Sequence, residues 1–162
     1  MTTPSATAPS GNMRRKMRSA SRLYAVQALF QMEHSGQDAE QVKREFLEFR
    51  FGAPVADDVE MIDGDVEFFT QILDDAVNYQ APIDQMTDRA LVAKWPIARI
   101  DPTLRALFRA AGAELTQTDT PPRVVISEYV DVARAFFPEG REPGFVNAVL
   151  DHMAREAQPG AF

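Results

Sequence analysis

The chain contains no cysteine, which excludes disulfide bonds, thiolate zinc sites and cysteine nucleophiles. It has only two histidines, His34 and His152, and neither stands at a spacing from a carboxylate that is typical of a zinc or general-base site. A glycine-rich phosphate loop, a GxSxG turn and a GxGxxG turn are also missing from the sequence. The sequence therefore gives no positive sign of an enzyme, and we expect neither a cofactor nor a metal site.

Long apolar runs are missing as well, since no segment approaches the ~20 residues needed to cross a bilayer. The lack of cysteine is compatible with a reducing cytoplasm, which is the location we expect. Acidic residues are absent from residues 1–32, which hold five cations and so carry +5. Because the whole chain carries −7, the remaining residues carry −12. We therefore expect a polyanion to be confined to one N-terminal edge of an acidic protein.

The length of 162 residues and an ordinary hydrophobic fraction of 45% predict one globular domain. Residues 1–12 are small and polar and include proline and glycine, so we expect a disordered tail there. Residues 13–157 are predicted to form this single domain, and residues 158–162 a frayed end.

Apolar residues recur at spacings of three and four throughout the chain, and no stretch alternates as a strand would. About seven helices are predicted, and the short links between them favour antiparallel neighbours in packed bundles. The first four expected elements are helices over 13–34 and 39–51, a helix capped by Asp57 or Asp58 that ends near Tyr79 before Ala81-Pro82, and one or two short helices over 83–95. The last three are a helix capped by Asp101 before Pro102, a helix capped by Thr120 before Pro121 that ends near Phe137, and a helix over 145–157.

The segment Met13 to Met32 organises the chain, because its first half is basic and its second half is almost wholly apolar. On a helix, four of its arginines fall within an arc of about 100°. Leu23, Val26 and Phe30 cluster beside that arc. We therefore predict one helix that buries its second half and presents cations with its first half, namely Arg14, Arg15, Lys16, Arg18 and Arg22.

An N-terminus with serine, arginine and no acid also resembles a mitochondrial transit peptide. The apolar run from Leu23 to Phe30 argues against this alternative, because it is suited to a protein core.

Two segments at opposite ends of the chain resemble the NusB family of bacterial transcription antitermination factors. The first is the pattern RxxxRxxAVQALFQME from Arg18, and the second is ISEYVDVARAFF followed after a short loop by FVNAVLD, Phe145 to Asp151. Between them, RIDPTLRALFRAAGAEL lies where the family has a similar helix. The resemblance extends over residues 14–155, with its specific motifs at the two ends.

This resemblance implies an all-α fold of two packed helical subdomains. It also implies binding to the boxA element of nascent ribosomal RNA leaders together with the small-subunit ribosomal protein NusE. Other Nus factors and RNA polymerase are the further partners that it implies. A homodimer that hides the RNA edge is a further possibility that the sequence leaves open.

The resemblance places a second group of RNA-binding candidates at the start of the last helix, namely Arg141, Phe145 and Asn147. Phe145 is suited to stacking on a base but equally to the core, and Asn147 is equally suited to a cap. Pro143 and Gly144 stand where the family usually has polar or basic residues, and Arg141 where many members have an acid or a small polar residue. A surface for the ribosomal protein is not carried over, because the start of the helix after Asp101 departs from the family pattern.

Two rival hypotheses remain open. NusB-like domains also occur as the RNA-binding part of ribosomal RNA cytosine methyltransferases, and this chain would then be a fragment of such an enzyme. Alternatively, the protein is a helical adaptor that binds only other proteins, with its arginines in a solvated or membrane-proximal tail.

Overall fold

The computed structural model describes residues 10–49, 51, 64–94 and 100–162. This part of the chain forms seven α-helices and one short 3-10 helix without any strand, which confirms the predicted all-α class. No helix in it is long and apolar enough to span a membrane. The helices are α1 (Gly11–Ser35), α2 (Ala39–Phe49), α3 (Val66–Asn78), α4 (Gln80–Lys94), α5 (Pro102–Gln117), α6 (Pro122–Phe136) and α7 (Glu142–Ala157), followed by the 3-10 helix Pro159–Ala161.

The helices form two packed groups, as predicted. Helices α1, α2 and α3 pack on one another, and α4, α5, α6 and α7 form the second group. The two groups meet chiefly where α5 packs against α1 and α3, with further contacts between α1 and α6 and between α3 and α4. Helix α5 therefore lies at the centre of the fold.

Helix α5 is central because it is apolar or small on almost every side. Its large residues Leu107 and Phe108 are fully buried, and so are four alanines placed between the large residues: Ala106, Ala110, Ala111 and Ala113. A helix that is apolar all round is buried all round, and the alanines let neighbouring helices approach closely. The apolar stripe in the sequence predicted this helix but not its burial on all sides.

Local capping signals set several helix ends where the sequence places them. Asp101 caps α5, with its carboxylate accepting from Thr103 N at 2.7 Å and Pro102 at the first position. Gly36 ends α1 in the left-handed conformation with φ 73°, and its N–H donates to Met32 O at 3.2 Å. At the other end of α1, Ser10 accepts from Met13 N, so the helix begins two residues before the predicted Met13.

The predictions for α3 and α4 need correction. Residues 64 and 65 are not helical, and Asp65 caps α3 by accepting from Phe68 N at 3.0 Å. The predicted caps Asp57 and Asp58 lie outside the described residues. Ala81-Pro82 does not act as a break after α3, because α4 already begins at Gln80. Pro82 lies in the first turn of α4, where a missing N–H leaves no helical hydrogen bond unmade.

The last three elements also differ from the predictions in detail. Thr120 does not cap α6, which begins after Pro121 without a side-chain cap. Helix α7 begins at Glu142 rather than Phe145, so the breakers Pro143 and Gly144 lie within its first turn. Residues 158–162, which we expected to fray, contain the 3-10 helix, and Gln158 Nε2 donates to Leu115 O at 2.8 Å.

Gly112 is a point of close contact between α4 and α5, as the sequence predicts for a glycine inside an apolar stripe. A Cβ atom added there would lie 2.5 Å from Cγ2 of Ile83. Ile83 is itself buried at 2% exposure and so has little room to move.

Replacing Gly112 with alanine is expected to destabilise the protein by about 1–3 kcal/mol, because the added methyl group overpacks the contact between α4 and α5. Urea unfolding followed by circular dichroism measures the change. Gly144→Ala is the matched control, since a Cβ atom there meets nothing within 4 Å. An unchanged midpoint for Gly112→Ala would contradict the close contact.

Candidate nucleic-acid interface

The first half of α1 presents a group of exposed cations. Arg14, Arg15, Lys16 and Arg18 are all exposed, and none of them forms an ion pair with any described residue. We call these four residues the α1 cations. By contrast, seven other described cations have acidic partners: Arg22, Lys43, Arg89, Arg105, Arg109, Arg134 and Arg155. The α1 cations therefore keep their charge available for an external anion.

Arg22, which the sequence groups with the other RNA-binding candidates, does not share the exposure of the α1 cations. Only 3% of Arg22 is exposed. Its Nε and Nη2 atoms donate to the two carboxylate oxygens of Glu114 at 2.8 and 2.7 Å. Such a two-bond pair satisfies a buried guanidinium in the way that a buried charge requires. Arg22 is therefore a structural link between α1 and α5.

A second acid, Glu128 of α6, lies on the other side of Arg22. Its Oε1 atom is 3.4 Å from Nη1 of Arg22, and its Oε2 atom accepts a hydrogen bond from Ser19 Oγ at 2.8 Å. Burial alone would lower the pKa of Arg22, but the hydrogen bonds and charge of Glu114 outweigh it, so this pKa is raised. The guanidinium therefore stays charged and joins α1, α5 and α6.

Tyr129, the neighbour of Glu128 in α6, is fully buried beside this pair. Burial, reinforced by the charge of Glu114, raises the pKa of the Tyr129 hydroxyl well above its ordinary value. The hydroxyl therefore stays neutral, and Glu114 and Glu128 supply the negative charge around Arg22.

The ring of Phe68 fixes the direction of Arg18. The Arg18 guanidinium lies 4.1 Å from the centroid of the Phe68 ring, and that of Arg22 lies 4.9 Å from the same centroid. Contacts of this kind contribute ~0.5–1 kcal/mol at exposed sites. Arg18 is thus held along α3 while its charge remains exposed.

A cleft of about 540 Å³ opens beside the α1 cations. One wall is α1, and the opposite wall is the turn between α5 and α6 with the first turns of α6. We call this the α1–α6 cleft, and its lining residues are Arg15, Arg18, Arg22, Gln71, Gln117, Thr118, Asp119, Thr120, Pro121, Val124 and Glu128. Nothing in the sequence pattern pointed to Gln71, Glu128 or the turn after α5. Glu114 had a signal, since it is the only acid in the apolar helix α5.

The second predicted group lies elsewhere on the protein. Arg141 and Asn147 are exposed at the start of α7, and Asn147 lines a different cavity, between α6 and α7. Phe145 is partly buried, with its ring edge-on to Phe108 of α5 at 6.1 Å between centroids. This contact supports the core interpretation of Phe145.

The two groups meet α5 at different levels. Phe145 packs against Phe108 in the middle of α5, whereas the α1–α6 cleft is lined by Gln117 and Thr118 at the C-terminal end of that helix. The ten residues from Phe108 to Thr118 correspond to about 15 Å along the helix axis. The structure therefore does not bring the α1 cations and the start of α7 into one pocket.

Acidic side chains near this interface do not form a metal site. The described residues contain no group of three or more metal-ligating side chains that could hold an ion. On α3, the carboxylate of Asp74 instead pairs with Lys43 Nζ at 2.9 Å.

Comparison with known proteins gives consistent matches. The model of the NusB family matches residues 19–155. A relative from Maricaulis maris, the transcription antitermination protein NusB, is 47% identical over 163 residues and covers 100% of each chain. Among solved structures, NusB from T. maritima is 27% identical with a TM-score of 0.68, covering 97% of this chain and 99% of its own.

A second solved structure has the same fold. It is a chain from the crystal structure of the antitermination factors NusB and NusE in complex with double-stranded RNA. The TM-score is 0.69 at 22% identity, and the match covers 91% of this chain and 99% of the other.

Replacing Arg22 with alanine is expected to cost about 3–5 kcal/mol of unfolding free energy, because Glu114 would remain buried without its partner. Chemical denaturation measures this loss. Arg15→Ala is the control, since an exposed unpaired arginine should change stability by less than ~0.5 kcal/mol. Equal stability of the two variants would show that Arg22 is not a structural link.

Proposed function

The chain belongs to the NusB family, and we propose that it acts as a transcription antitermination protein that binds RNA together with a ribosomal protein. The observation that carries the proposal is the group of α1 cations, which are exposed and have no ion-pair partner within the described part of a chain whose net charge is −7. Such a surface attracts a polyanion to one edge and repels it elsewhere. The proposal includes no catalytic step.

The α1 cations are the proposed contacts to RNA phosphates. Phosphate contacts supply affinity and salt dependence but little choice of sequence. Exposed Arg141 and Asn147, with the exposed part of Phe145, form a second proposed contact at the start of α7, outside the α1–α6 cleft. A single strand of RNA that touches both groups must therefore run along the protein rather than enter one pocket.

The proposed ligand is the boxA element of a nascent ribosomal RNA leader, and the proposed protein partner is the small-subunit ribosomal protein NusE. The related complex that contains both NusB and NusE with RNA supports this pairing. We also propose that other Nus factors and RNA polymerase join the complex, that the protein works in the cytoplasm, and that a homodimer could mask the RNA edge.

The rival functions predict different behaviour. A protein-only adaptor would not bind RNA at all. The relative from Maricaulis maris, matched over its whole length, is named an antitermination protein, which favours that function over a methyltransferase domain.

The double variant Arg15→Ala/Arg18→Ala is expected to weaken binding to a boxA-containing RNA, because two phosphate contacts are lost. Fluorescence anisotropy at several salt concentrations measures this. The slope of log affinity against log salt should fall in magnitude by about 0.7 for each lost contact. Arg44→Ala is the control, because Arg44 is an exposed cation on α2 that forms no ion pair with the residues that the structure describes. Equal losses in both variants would contradict a localised RNA edge, and wild-type binding without salt dependence would contradict phosphate contacts.

The RNA is expected to bind weakly to the protein alone and more tightly after NusE is added, because two partners then share the RNA. Titration of labelled RNA with and without saturating NusE measures the difference. Arg15→Ala/Arg18→Ala should keep its binding to NusE. No gain in RNA affinity on adding NusE would contradict joint binding.

A further inference from the structure

The floor of the α1–α6 cleft holds more negative charge than its buried arginine needs. Glu114 already neutralises Arg22 through two short hydrogen bonds. Glu128 is a second carboxylate beside the same guanidinium, at the longer distance of 3.4 Å. Its side chain is 25% exposed and lines the cleft. The charges of Arg22, Glu114 and Glu128 at the floor of the cleft therefore sum to −1 and not to zero.

This surplus of one negative charge determines which chemical groups can bind at the floor of the cleft. A phosphate placed there would meet the like charge of Glu128, which disfavours it. An ionised carboxylate only accepts hydrogen bonds, and its two oxygens offer about four lone-pair sites. Ser19 occupies one of these sites on Oε2. The floor is therefore matched to a neutral group that donates hydrogen bonds, while the cations Arg15 and Arg18 at the rim are matched to phosphates.

The walls of the cleft suit a flat ring. Pro121 and Val124 supply apolar surface, with Val124 at 42% exposure, and Gln71 supplies an exposed amide. The volume of about 540 Å³ lies within the range of small-molecule sites. Single-stranded RNA is recognised through unstacked bases that are packed on side chains and hydrogen-bonded along their edges.

We propose that the α1–α6 cleft binds one unpaired base carrying an amino group, which donates to Glu128 while the flanking phosphates contact Arg15 and Arg18. Cytosine, adenine and guanine all present such a group. Uracil presents a carbonyl oxygen in place of the amino group of cytosine, and this oxygen repels a carboxylate, so its one donor on that edge is the N3–H between two carbonyl groups. This inference rests on the proposed RNA binding and adds a residue that selects the base.

Cytosine and uracil provide the cleanest test, because their rings have the same size and differ only at position 4, an amino group against a carbonyl oxygen, and at the adjacent N3, an acceptor in cytosine and an N–H donor in uracil. Fluorescein-labelled oligonucleotides of twelve cytidines and of twelve uridines are titrated with the full chain at pH 7.5 and low salt. The wild type is expected to bind the cytidine probe about three- to tenfold more tightly, the effect of one net hydrogen bond. Glu128→Gln should bring this ratio close to one, because glutamine offers both a donor and an acceptor.

Glu67→Gln is the matched control. Glu67 is an exposed acid beside Arg14 and Arg18 in a neighbouring cavity, so its removal changes the net charge equally without touching the floor of the cleft. It should strengthen binding to both probes by similar factors and preserve the cytidine preference. Val124→Met adds bulk to the wall of the cleft and should reduce the preference for the cytidine probe. This variant tests the base pocket if Glu128→Gln fails to fold.

The possible outcomes separate the two proposals. Measurable binding of both probes without a cytidine preference in the wild type overturns the base pocket and leaves the RNA-binding proposal standing. A preference that survives in folded Glu128→Gln, or in Val124→Met, also overturns the pocket. Failure of the wild type to bind either probe overturns both proposals.

Discussion

The ion pair between Arg22 and Glu114 is the constraint on which the arrangement of this protein depends. It fixes α1 against α5 at the point where α1 passes from solvent into the core. On the N-terminal side of this point the helix carries exposed cations. On its C-terminal side the buried residues Ala25, Val26 and Leu29 pack into the core. A buried pair of this kind contributes little net stability compared with apolar packing, but it tolerates only one register. The main effect of the pair is therefore to fix how many residues of α1 remain exposed to solvent.

The same pair connects the exposed half of α1 to the centre of the fold. Helix α5 contacts α1, α3, α4, α6 and α7, so its position sets theirs. The close approach at Gly112 holds α4 in place, and Phe108 holds the start of α7. The two proposed RNA-contacting groups lie on α1 and at the start of α7, and both helices pack against α5, so their relative placement is a property of the core and not of flexible loops.

The sequence predicts the features of this protein that are local. Helical periodicity, the cap at Asp101 and the terminator Gly36 each depend on residues within a few positions of one another, and the structure confirms them. The break expected at Pro82 fails because proline is tolerated in a first turn, a distinction that depends on where the helix begins. Family motifs led correctly to the two-group helical fold.

The burial of Arg22 and its pairing with Glu114 could not be predicted from local sequence features. On a helical wheel Arg22 shares an arc with Arg14 and Arg18. Only the residues of other helices that pack over Arg22 distinguish it from those two arginines. Its partner Glu114 is 92 residues away, and Ser19 and Glu128 are 109 residues apart. Which cations of a basic stripe are free is therefore a tertiary property. Because Glu128 sits where the free cations end, it limits how deeply a phosphate can approach along α1. In this proposal, affinity for a polyanion comes from the α1 cations, and discrimination among its bases comes from an adjacent residue of opposite charge. A count of cations in the sequence does not reveal this arrangement.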